Sequence, residues 1–114
     1  MDIFYKEPTN GNLEYKLNLN KMNHHKFQKY SSQLKYRILE GNGVAIYIIG
    51  IHDNGKIIGL NQADIPKTTQ LFSEMCENVQ CKIDIILNCT YKTKLFLIIK
   101  SSALFDMDNL SYII

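Results

Sequence analysis

The sequence predicts an α+β fold in which two helices pack on a mixed or mainly antiparallel sheet of about five strands. Three observations carry that expectation. Phe27, Tyr30, Leu34 and Ile38 recur at helical spacing, residues 44–51 and 95–99 are short apolar runs rich in branched side chains, and turn signals join strand to strand. With 114 residues, 46% of them apolar, the chain can bury one core and leaves no room for a multidomain enzyme.

The elements follow in order. Residues 13–19 alternate, Leu13, Tyr15, Leu17 and Leu19 on one side and Glu14, Lys16 and Asn18 on the other, the period of a half-buried strand; the flank 8–12 is turn chemistry. Asn23 can cap a helix that carries the Phe27-to-Ile38 stripe and stops at Gly41. The continuous apolar run 44–51 suits a central strand covered on both faces. Asp53-Asn54-Gly55 then supplies a tight turn, and 56–60 returns as its hairpin partner. A second helix begins near Pro66, whose fixed φ suits a first turn, turns Leu71, Phe72, Met75 and Val79 inward, and ends near Asn78. Ile83, Ile85, Leu87, Cys89 and Tyr91 alternate, Lys92-Thr93 turns, and 95–100 forms the last strand. The predicted core is Phe27, Leu34, Ile38, Ile46, Ile48, Phe72, Met75, Ile85, Leu87, Leu97 and Ile99. The expected domain covers 1–100, with 101–114 an apolar-spotted tail that includes Asp106 and Asp108.

Much chemistry is excluded by spacing. There is no G-x-x-x-x-G-K-[ST] loop, and Gly41-Asn42-Gly43 follows a helix, whereas a phosphate loop precedes one. Ser31 and Ser32 have no strained elbow or local base, so no serine nucleophile is expected. Cys76, Cys81 and Cys89 are odd in number and without C-x-x-C spacing, and His24, His25 and His52 lie far upstream. They read as core thiols in a reducing compartment, with no metal and no cofactor. Apolar runs are far shorter than the roughly 20 residues of a membrane-crossing helix, and Asp2 and Glu7 interrupt any leader. A soluble, uncleaved, cytoplasmic chain is expected, with no membrane partner. Thirteen basic against eleven acidic residues, a formal +2, name no partner.

Two groups of side chains retain functional chemistry. Lys26, Lys29, Gln33 and Arg37 follow steps of three and four on the first helix, a basic ridge beside the apolar stripe, with Tyr36 placed to stack on a base or a partner side chain. The second group is acidic: Glu14 on the first strand, Asp53 at the central turn and Glu7 upstream, carboxylates that a sheet can gather around Mg²⁺. The ordinary alternatives are a solvated helix face for the first group, and a turn-former with a surface glutamate for the second.

Residues 31–43, S-S-Q-L-K-Y-R-I-L-E-G-N-G, continued by V-A-I-Y-I-I-G-I-H-D-N-G over 44–55 and closed by Gly59-Leu60, resemble the N-terminal domain of the GTP-binding-protein-1 and -2 group of elongation-factor-like translational GTPases. Glu14-Tyr15-Lys16-Leu17 looks like that domain's opening strand. The resemblance implies a domain that precedes a GTPase domain. Without that domain it implies an accessory module that contacts RNA or a translation-associated protein through Lys26, Lys29, Gln33, Arg37 and Tyr36, with no GTP hydrolysis. Glu14, the 50–55 turn and Gly59-Leu60 also look like the AlbA-like domain of Schlafen-type proteins, some of which cleave RNA with clustered carboxylates. On that pattern Glu14 and Asp53, assisted by Glu7, would be catalytic with Mg²⁺, although Glu7 lies further upstream of Glu14 than the pattern has it. A third expectation is a protein-interaction domain that docks a partner or a second copy through Leu104, Phe105, Leu110 and Tyr112. High Asn, Lys and Ile usage with the single arginine Arg37 suggests an AT-rich genome, that of a parasite or a large DNA virus.

Overall fold

A computed structural model of the chain describes residues 3–105 and 107. The elements are β1 (Leu13–Lys16), α1 (His24–Glu40), β2 (Val44–Ile49), a 3-10 turn (Gln62–Asp64), α2 (Ile65–Asn78), β3 (Cys81–Tyr91) and β4 (Lys94–Ala103). The strands lie in the order β1-β2-β4-β3, with β1 parallel to β2 and the other neighbours antiparallel, so the sheet is mixed and the class is α+β. A parallel pair needs a crossover, and α1 provides it.

Asn23 caps α1 as expected, its side chain accepting from the Lys26 N–H at 2.8 Å. Leu34 and Ile38 of α1 and Phe72 and Met75 of α2 bury against Tyr47, Ile49, Leu97 and Ile99 on one face of the sheet. There Tyr47 and Phe72 meet edge-on with ring centroids 4.9 Å apart. On the opposite face a smaller cluster gathers Tyr15, Ile48, Ile51, Ile57 and Phe96. The N-terminal segment closes over it, placing Phe4 edge-on to Phe96 at 5.8 Å.

Three expectations are corrected. Residues 56–60 form no strand but make single bridges, Ile51 to Ile57 and Leu60 to Leu95. Asp53-Asn54-Gly55 does turn the chain, with Gly55 at φ 94°, but β1 and β4 already occupy both edges of β2, so the returning segment has no ladder to join. Ile85 and Leu87 are not core; they are 48% and 50% exposed. The ladder shifts register between Ile83 and Ile85, leaving Asp84 as the extra residue of a bulge, so Ile83 and Ile86 face the helices instead. The third concerns β1, which stops at Lys16. Its Leu13 and Tyr15 join the smaller cluster, Leu17 is exposed, and Glu14, expected on the solvent side, is buried beneath α1.

Gly41 ends α1 for a reason other than a left-handed cap, since its φ is −94°. A Cβ there would lie 1.9 Å from the Val44 carbonyl oxygen, so only glycine lets the chain fold back into β2. Among the described residues, no helix is long and apolar enough to cross a membrane. All three cysteines are free, and burial pushes the Cys76 thiol up to about 12 and the Cys81 thiol up to about 11. At neutral pH both are protonated and unreactive.

Candidate functional site

The site lies where β1, α1 and the N-terminal segment meet. Side chains alternate along β1, so Glu14 and Lys16 share the face covered by α1. On α1, Arg37 is three residues beyond the buried Leu34 and next to the buried Ile38, which turns it inward against Glu14. The Arg37 Nε donates to Glu14 Oε1 at 2.9 Å, and both residues are more than nine-tenths buried. The remaining guanidinium nitrogens donate to the carbonyls of Gly11 at 2.9 Å and Pro8 at 3.0 Å, tying the N-terminal segment to the helix. Lys16 Nζ stands 3.4 Å from Glu14 Oε2, donates to Gln33 Oε1 at 2.6 Å and lies 4.1 Å above the Tyr30 ring.

Two adjoining clefts of about 410 and 430 Å³ flank this pair, and Glu7, Glu14, Gln33 and Asp53 line both. The structure therefore brings the three predicted carboxylates to one place. The Tyr15 N–H donates to Glu7 Oε2 at 2.6 Å, and the Glu7 N–H donates to the Asp53 carbonyl at 2.7 Å. Burial pushes the Glu7 carboxyl up; the Tyr15 N–H opposes that, and the negative charges of Glu14 and Asp53 add to it. Glu14 is committed to Arg37 and Lys16, and among the described residues no three of His, Cys, Asp or Glu stand close enough together to hold a metal ion.

The basic ridge is only partly assembled. Arg37, expected on it, is 4% exposed and plugged by Glu14, while Gln33 is turned to Lys16. Lys29 is exposed, Lys26 Nζ reaches the Asn20 carbonyl at 3.4 Å, and Tyr36 is 42% exposed. The Tyr36 hydroxyl lies 3.2 Å from Asn10 Oδ1 and 3.3 Å from Glu40 Oε1. Lys16 and Tyr30 are the members that sequence reasoning missed. The strand period already put Lys16 beside Glu14, and Tyr30 stood on the apolar stripe. In the tail, Leu104 is exposed and Phe105 packs on the main core. Leu110 and Tyr112, with Asp106 and Asp108, lie outside the described residues.

Over 80 residues, 70% of its length, the chain is 35% identical to GTP-binding protein 2 of Mus musculus and of Homo sapiens. The chain is thus related to the GTP-binding protein 2 group. That stretch is 13% of the length of GTP-binding protein 2, so the likeness concerns one region of a much longer protein. The chain is also 32% identical over 78 residues to an uncharacterized protein of Acanthamoeba polyphaga mimivirus, matching 68% of this chain and 42% of that one. No family model matches the sequence, and no solved structure matches the chain.

Proposed function

We propose that the chain is a non-enzymatic accessory module of a GTPase-related protein, corresponding to the domain that precedes the GTPase domain, and that it contacts RNA through the exposed face of α1. Lys26 and Lys29 would meet phosphates, and Tyr36 would stack on a base. Arg37 and Gln33 stand behind that face and hold it to β1. The observation that carries this reading is the internal neutralisation of Glu14 by Arg37 and Lys16, which occupies the central acid while Lys29 and Tyr36 remain exposed on the same helix.

Fluorescence anisotropy with a single-stranded RNA tests it. Lys26→Glu with Lys29→Glu is expected to weaken binding and to flatten the slope of log K against log salt by about 1.4, two contacts at about 0.7 each. Salt-insensitive binding, or none at low salt, removes the phosphate contacts and leaves a translation-associated protein as the partner. The rival reading, a Mg²⁺-dependent RNA endonuclease, is favoured by one observation, the shared cleft of Glu7, Glu14 and Asp53. Labelled tRNA incubated with and without Mg²⁺ decides it: cleavage that needs Mg²⁺ and disappears in Asp53→Asn would replace the binding reading.

A further inference from the structure

The far edge of the sheet carries a feature independent of the α1 face. β3 is the last strand in the order β1-β2-β4-β3, and no further strand pairs with its outer edge among the described residues. An edge strand of this length is usually shortened, charged or covered, because its free N–H and C=O groups template another strand. Here the regular part, residues 85–91 between the bulge and the turn, contains no charged side chain and presents Ile85 and Leu87 half-exposed on the face away from the helices.

We propose that this edge is a self-association surface on which β3 pairs antiparallel with β3 of a second copy of the chain, about a two-fold axis at Asn88. Pattern and charge select that occupant. Antiparallel strands set side chains of one face opposite each other. Centring the regular segment on itself places Leu87 opposite Cys89 and Ile85 opposite Tyr91, so both exposed apolar residues gain apolar partners. The same register brings Asp84, the bulge residue whose carboxylate lies 3.7 Å from Lys82 Nζ, toward Lys92 at the partner's turn, and the symmetry makes that approach twice. The result is one continuous sheet through two copies, with the helices of both on the same side.

Sedimentation of the full chain, with concentration raised from about 1 µM to about 1 mM to span the weak range of association, reads the outcome. The unaltered chain is expected to move toward twice its 13.2 kDa mass. Asp84→Lys alone and Lys92→Asp alone each set like charges opposite and are expected to lower association at least tenfold, whereas the double exchange restores it. Circular dichroism on each variant confirms that the fold is intact. Leu87→Lys, at a half-exposed position, is a further disrupting variant. A chain that stays monomeric throughout overturns the proposal. So does a dimer indifferent to both single changes, or a double exchange that fails to restore association.

Discussion

Arg37 and Glu14 form the joint on which the cleft is built, because the guanidinium satisfies a buried carboxylate and two carbonyls of the N-terminal segment at once. Removing one member of such a pair leaves an uncompensated buried charge, so Arg37→Ala is expected to cost about 3–5 kcal/mol in urea unfolding. Replacing both partners by apolar residues, Arg37→Met with Glu14→Leu, should recover much of that loss. Additive single effects in the double-mutant cycle would show that the pair is not coupled. Glu7 makes a prediction of opposite character. Its carboxyl is raised in the folded state by burial and by Glu14 and Asp53, so the fold holds that proton more tightly than the unfolded chain does. Stability from this group is therefore present below the unfolded carboxylate range and is lost as pH rises through the elevated folded value. Glu7→Gln should raise thermal stability at pH 7 and lose that advantage in acid; an equal effect at both pH values would contradict the assignment.

Among the elements, α1 and α2 were the most legible in the sequence, since a capping asparagine, an N-terminal proline and long apolar stripes are local signals that no neighbour had to confirm. The strands were legible in existence but not in orientation. The inserted Asp84 reverses the alternation of β3 part-way along, so a uniform period assigned Ile85 and Leu87 to the wrong face. The β3–β4 turn carries strain of its own, with Lys92 at φ 48° and the β-branched Thr93 at φ 68°. Such two-residue turns favour Asn-Gly, and a branched side chain in that conformation costs about 1 kcal/mol or more. Thr93→Gly is accordingly expected to raise the melting temperature by about 4–8 °C, the shift that about 1 kcal/mol produces in a domain of this size. A lowered value would mean that the hydrogen bond from the Thr93 hydroxyl to the Lys92 carbonyl outweighs the backbone strain.

Across the whole molecule, the N-terminal segment is a structural part of the domain. It covers the smaller cluster through Phe4, meets the turn through Glu7 and Asp53, and is gripped by Arg37. Phe4→Ala should cost about 1–2 kcal/mol from lost apolar burial and edge-on ring contact and should increase hydrogen exchange over β1. Unchanged exchange would show the segment to be an independent appendage. Composition, period and capping residues by themselves determined two amphipathic helices, apolar strands and an α+β class, because each depends on neighbours a few positions apart. The region's relationship to GTP-binding protein 2 likewise rests on linear order. Only the tertiary structure decided that β1 lies parallel beside β2, that residues 56–60 find no open edge, and that Arg37 turns inward to Glu14. Those outcomes depend on which surfaces remain free once the sheet has assembled, and a chain read one residue at a time carries no record of that competition.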